Sequence, residues 1–167
     1  MIAGCGARRT VFSSPPTGNS PRSRAPAPRL GWLVTNQKSS CVLLADRHHG
    51  LRDSVRGLLE MEFETVFMVA DEASVVEGAG RLKPSVVVLD LSLAHGDLRS
   101  LLARLAERSP GSKVLMLTVH DEATVAKAAL AAGAAGVVLK SKLTNDLLPA
   151  VNALRAGKHY LSPELMT

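Results

Sequence analysis

The sequence is poor in aromatic residues and in cysteine. Its 167 residues include three Phe, one Tyr and one Trp, so a core must be built from Val, Leu and Ala. Two cysteines, Cys5 and Cys41, supply neither a disulfide framework nor a metal-ligand spacing, and nothing here requires an oxidising compartment. Long apolar runs are missing too. The longest, Ala128 to Leu139, spans twelve residues, whereas a membrane-spanning helix needs about 20. A glycine-rich phosphate loop is also absent: Arg47-His-His-Gly50 holds one glycine, which argues against a small nucleotide-binding enzyme. With 46% hydrophobic and 21% charged residues, the composition is that of a globular chain.

Acidic residues are missing from one part only. Met1–Ser40 has six basic residues (Arg8, Arg9, Arg22, Arg24, Arg29, Lys38), no acidic ones and five of the nine prolines. The whole chain carries +5, which read alone suggests a nucleic-acid or anionic-membrane partner. Without that stretch, Cys41–Thr167 holds 14 basic against 15 acidic residues, a net charge of −1. The body is therefore not basic. Residues 1–40 lack hydrophobic periodicity and are dense in Pro, Ser and Arg, which predicts a disordered tail. Ile2-Ala-Gly-Cys5 looks like a lipoprotein cleavage box and Arg8-Arg9 like the start of a twin-arginine signal. Neither has the flanking apolar stretch such signals need. The composition also fits an organellar transit peptide, against which stands the plainer reading of an unstructured extension.

From Cys41 onward, short apolar runs alternate with helical patterns. Cys41–Ala45, Thr65–Val69, Ser85–Leu89, Lys113–Val119 and Gly136–Leu139 read as strands, the third apolar on both faces as a central parallel strand should be. Between them, Leu51, Val55, Leu58 and Leu59 mark one helical face, and Asp71 can cap a helix carrying Val75, Ala79 and Leu82. Asp97 precedes a third helix with Leu98, Leu101, Leu102 and Leu105. Asp121 opens an Ala-rich helix that stops at Gly133. Thr144 heads the last, where Pro149 predicts that regular helix starts near Leu148. Five βα units predict an α/β fold, a doubly wound parallel sheet with helices on both faces.

In such a sheet the carboxyl ends of the strands carry the site. The first strand ends in Asp46-Arg47, the third in Asp90, the fourth in Thr118 and the fifth in Lys140. One polar residue there would merely finish a sheet edge; four on four strands point to shared chemistry. A carboxylate can take up a phosphoryl group as an acyl phosphate. Carboxylate oxygens and waters suit a hard divalent cation such as Mg²⁺, and a lysine and a hydroxyl suit phosphoryl oxygens.

These segments resemble the receiver domain of bacterial two-component response regulators, the CheY-like domain, and most the NarL/LuxR type. The resemblance rests on Val42-Leu-Leu-Ala-Asp46-Arg-His48, Val86-Val-Val-Leu-Asp90-Leu-Ser-Leu, Val114-Leu-Met-Leu-Thr118-Val-His-Asp121, Ala132-Gly-Ala-Ala-Gly-Val-Val-Leu-Lys140 and the ending Ala156-Gly-Lys-His-Tyr-Leu-Ser-Pro-Glu164. It covers 41–167 and implies a flavodoxin-like (βα)5 sheet of strand order 2-1-3-4-5. It implies a signalling module of the cytoplasm, not an enzyme, with Asp90 phosphorylated by a sensor histidine kinase or phosphotransfer protein. Mg²⁺ would be held by Asp46, Asp90 and the backbone carbonyl of Ser92, while Thr118 and Lys140 sense the phosphoryl group.

Three positions depart from that pattern. Arg47 stands where the family has a second metal-binding acid, and a guanidinium there opposes Mg²⁺ and could pair with Asp90 or Asp46 instead. Val137 replaces a switching aromatic, and Leu93-Ala94 replaces Met-Pro. A second reading therefore keeps the fold without phosphorylation, as a pseudo-receiver. His48, His49, His95 and His120 fall in loops near the site and read as surface or helix-start residues. No basic recognition helix is present and the chain stops at Thr167, where a helix-turn-helix domain would begin, so direct DNA binding is not expected. Output would pass to an effector or a second copy through the fourth helix, fifth strand and fifth helix, whose Ala126, Ala129 and Ala132 suggest a smooth face unless they pack inward.

Overall fold

The computed structural model describes residues 39–166. The tail expected over 1–40, with its signal-like segments, lies outside them except for Ser39 and Ser40. Six strands follow: β1 (Ser39–Ala45), β2 (Phe63–Val69), β3 (Val86–Asp90), β4 (Lys113–Thr118), β5 (Gly136–Leu139) and β6 (Tyr160–Leu161). They form one parallel sheet in the order β2-β1-β3-β4-β5-β6. The flavodoxin-like order 2-1-3-4-5 is thus present, extended at one edge by β6. Cys41 is buried in β1.

Alternation along each strand explains why the central ones are apolar throughout. Val42, Leu44, Val86, Val88, Leu115, Leu117 and Val138 face one side, packed with α1 (His49–Leu59) and α5 (Leu143–Arg155). Leu43, Val87, Leu89, Met116 and Val137 face the other, against α2 (Glu72–Leu82), α3 (Leu98–Arg108) and α4 (Ala123–Ala132). Both faces are therefore covered, as a parallel sheet requires. Asp71 and Asp97 cap α2 and α3 as expected, each accepting from the amide three residues on, at 2.8 Å and 3.0 Å.

Four expectations change. Asp121 does not open α4; the helix begins after Glu122, and neither acid bonds to its first amides. Ala126 and Ala129 are buried in the core, so the outer side of α4 is Thr124, Lys127, Ala128 and Ala131. Leu51 and Leu58 are only half-buried, leaving Val55 and Leu59 to anchor α1. Pro149 lies inside α5 rather than before its regular part. The bond it cannot donate is owed to the carbonyl of Asn145, and both residues are exposed, so water can take the donor's place.

Candidate functional site

Register brings the polar residues to one edge. Ala45 pairs with Leu89, Asp90 with Leu117, and Thr118 with Leu139. Asp46, Asp90, Thr118 and Lys140 therefore end adjacent strands at the same level. Asp46 and Asp90 are nearly sealed from solvent (0% and 3% exposed) and Thr118 is buried beside them. Above them opens a cleft of about 340 Å³, lined by His48, Asp90, Ser92, Thr118, His120 and Lys140 among others.

Two buried carboxylates this close would repel unless cations were shared between them. Lys140 Nζ lies 3.1 Å from Asp46 Oδ2 and 3.1 Å from Asp90 Oδ2. His48 Nδ1 adds a second bridge, 3.0 Å from Asp46 Oδ1 and 3.3 Å from Asp90 Oδ2. Because carboxylates only accept, Nδ1 carries the proton in both contacts. The His48 amide also donates to Asp46 Oδ1 at 2.7 Å. Ser92 Oγ donates to Asp90 Oδ2 at 2.6 Å. Burial pushes the Asp90 carboxyl up, but the Ser92 hydroxyl and the Lys140 ammonium outweigh it and hold the group below its ordinary 3.8. Asp90 is thus ionised over the physiological range. Thr118 Oγ1 accepts from the His120 amide at 3.0 Å, and its own proton has no acceptor among the described residues.

His48 stands at the start of α1, one of the two places the sequence suggested for the loop histidines. Its ring is more than half exposed, yet its Nδ1 turns back onto both carboxylates. The signal was its position two residues after Asp46, in the loop leading to α1. His95, His49 and His120 bring no ring nitrogen to the Asp46–Asp90 pair.

Arg47 does not pair with Asp46 or Asp90. Its Nη2 donates to the Ser92 carbonyl at 3.4 Å and to His95 Nε2 at 3.3 Å. A guanidinium has no acceptor, so the imidazole nitrogen accepts. The loop it grips is a short 3-10 turn, Leu91–Ala94, with Leu93 and Ala94 buried. It ends in two left-handed residues, His95 (φ 35°) and Gly96 (φ 93°). Burial of Leu93 and Ala94 thus anchors the turn where the family has Met-Pro. Val137, at 1% exposure in β5, sits in the core.

The residues meet the expected Mg²⁺ set only in part. Asp46, His48 and Asp90 offer ligand atoms within 4.8 Å of one another, and two carboxylates suit a hard cation. The third expected donor, the Ser92 carbonyl, accepts from Arg47, so a dication on its other lone pair would stand beside the guanidinium charge. The set therefore does not fit a Mg²⁺ ion held by Asp46, Asp90 and Ser92 together.

A parallel five-stranded core extended by a sixth strand, with an acidic pair and a lysine at its carboxyl edge, defines a receiver-type signalling domain. The chain belongs to the response regulator receiver domain family, whose pattern matches residues 42–152. Asp46 and Asp90 form the acidic pocket in which such domains typically hold Mg²⁺. Among curated relatives, the transcriptional regulatory protein DegU of Brevibacillus brevis is 29% identical over 132 residues, covering 78% of this chain and 56% of DegU. A putative transcriptional regulator of Pseudomonas aeruginosa is 35% identical over 119 residues (71% and 58%). The nitrate/nitrite response regulator NarL of Escherichia coli K12 is 30% identical over 134 residues (79% and 62%). The chain thus spans less than two thirds of these relatives. A LuxR-family response regulator from Aurantimonas superposes with a TM-score of 0.69 at 27% identity, covering 75% of this chain and 91% of that one. Among the described residues, no helix is long and apolar enough to cross a membrane.

Proposed function

We propose that this domain relays a signal by accepting a phosphoryl group on Asp90 from a phosphohistidine of a sensor kinase or phosphotransfer protein. An Asp90 oxygen forms the new O–P bond as the P–N bond breaks, and the electron pair leaves with the imidazole nitrogen. One observation supports this above others: an ionised, nearly sealed carboxylate faces a cleft together with Lys140 and an unspent Thr118 proton. Lys140 already touches Asp90 and could follow a phosphoryl oxygen; Thr118 could donate to another. The role is signalling rather than turnover, in the cytoplasm, with output to an effector or second copy over α4, β5 and α5. The near-neutral body gives no support to direct DNA contact; RcsB, a structural neighbour, is seen as dimers bound to DNA.

Incubation of the full chain with acetyl phosphate tests this. Intact mass should rise by one phosphoryl group, and Asp90→Asn should abolish the gain. A gain that survives Asp90→Asn, or none under any metal condition, would sink the reading in favour of a phosphorylation-independent pseudo-receiver.

A further inference from the structure

The three groups expected to hold a divalent cation each have a nitrogen donor supplied by the chain itself. The Ser92 carbonyl accepts from Arg47. Asp46 Oδ1 and Asp90 Oδ2 receive His48 Nδ1. Asp46 Oδ2 and Asp90 Oδ2 share Lys140 Nζ. The charges close as well: Asp46 and Asp90 stand against Lys140 and Arg47, so the site is formally neutral with nothing added. With an acid in place of Arg47, the same count would be −2, the deficit a divalent cation would fill. A dication on the Ser92 carbonyl would also have to displace the guanidinium or lie beside it.

We propose that this site takes up its phosphoryl group without a divalent cation, Arg47 and His48 occupying with hydrogen-bond donors the position a metal would fill. This rests on Asp90 being the acceptor. Arg47 is a positioning residue in this scheme. It fixes the Ser92 backbone, and through it the Ser92 hydroxyl that orients Asp90, while its charge balances the buried acids. The guanidinium is exposed and, among the described residues, bonds to a carbonyl and an imidazole, so replacing it leaves the core intact.

The test is binding of beryllium trifluoride, a tetrahedral phosphoryl mimic that adds to an aspartate without a donor. Fluorine NMR would follow the metal-stripped full chain, then the same sample with saturating Mg²⁺, for the wild type, Arg47→Asp and Asp90→Asn. Wild type should give the bound signal in metal-free buffer, with an affinity that Mg²⁺ leaves unchanged. Arg47→Asp should lose about tenfold or more without metal, the loss expected for one charged hydrogen bond, and regain it with Mg²⁺. Asp90→Asn should give no bound signal. If wild type needs Mg²⁺ as Arg47→Asp does, metal independence is overturned while Asp90 stands as acceptor. If neither protein binds under either condition, or if Asp90→Asn binds, the acceptor reading itself falls and this proposal with it.

Discussion

Asp90 keeps its charge in a place that disfavours charge. Burial alone would raise its carboxyl, but Ser92 and Lys140 pull it below 3.8. A group with a lowered folded-state value stabilises the fold above its unfolded value, and that contribution is lost as pH falls through the lowered one. The Asp90 contribution is therefore complete at neutral pH and fades only below 3.8. Ser92→Ala and Lys140→Met should each move the Asp90 midpoint upward, which carboxyl-carbon NMR titration reads directly. A midpoint unmoved by both substitutions would mean that neither contact holds the charge. Asp46, Asp90, Thr118 and Lys140 could all be found in the sequence because each ends an apolar run, and parallel register does the rest. His48 could not. Its ring reaches the carboxylates through a loop turn that no periodicity records. The hold of Arg47 on the Ser92 carbonyl was equally hidden, since a side-chain-to-backbone bond across 45 residues leaves no pattern in composition.

At the level of elements, strands and their order followed from the alternation of apolar runs, and β6 did not. Tyr160 and Leu161 are too few to show a period of two, and they extend the sheet only because β5 begins in glycine. A Cβ at Gly136 would stand 2.9 Å from the Tyr160 carbonyl oxygen and 3.0 Å from both Leu115 Cδ1 and Leu154 Cδ1. Backbone on one side and two core leucines on the other leave it nowhere to move. Gly136→Ala should therefore destabilise the domain by about 1–3 kcal/mol, the usual cost of overpacking, measured by urea unfolding. A neutral result would mean that β6 can detach at no cost. Gly78 gives the contrast: its added Cβ would meet only the flexible tip of Leu43 at 3.4 Å, so Gly78→Ala in α2 is the milder change. Helix ends were harder to place than helix faces. The third and second helices announce their caps with Asp, whereas α4 and α5 start with no side-chain cap bond, so the start signals read at Asp121 and Thr144 pointed slightly wrong.

Across the whole domain, the segment from Tyr160 to Met166 is tied to the far end of β5, one residue from Lys140. Ser162 is fully buried. Its Oγ accepts from the Leu139 amide at 3.1 Å and donates to Asp146 Oδ2 at 2.6 Å. The Ser162 amide donates to the Val137 carbonyl at 3.0 Å, and Lys142 pairs with Glu164 at 3.1 Å on the surface. One hydroxyl therefore joins β5, α5 and the C-terminal segment, directly beside the lysine that bridges the two acids. Burial, then the Asp146 charge and its hydrogen bond, raise the Tyr160 phenol. Asp146→Ala would leave the Ser162 proton buried with no acceptor, a loss of about 1–3 kcal/mol. Asp146→Asn keeps a carbonyl oxygen in the acceptor's place and should cost less. Amide hydrogen exchange distinguishes the two: protection at Leu139 and Ser162 should fall in Asp146→Ala and largely survive in Asp146→Asn. Equal loss in both would assign the clasp to the charge of Asp146 rather than to its bond with Ser162. Unchanged protection in both would mean that the C-terminal segment is held by β6 pairing alone, with no hydroxyl link between it and the strand that carries Lys140.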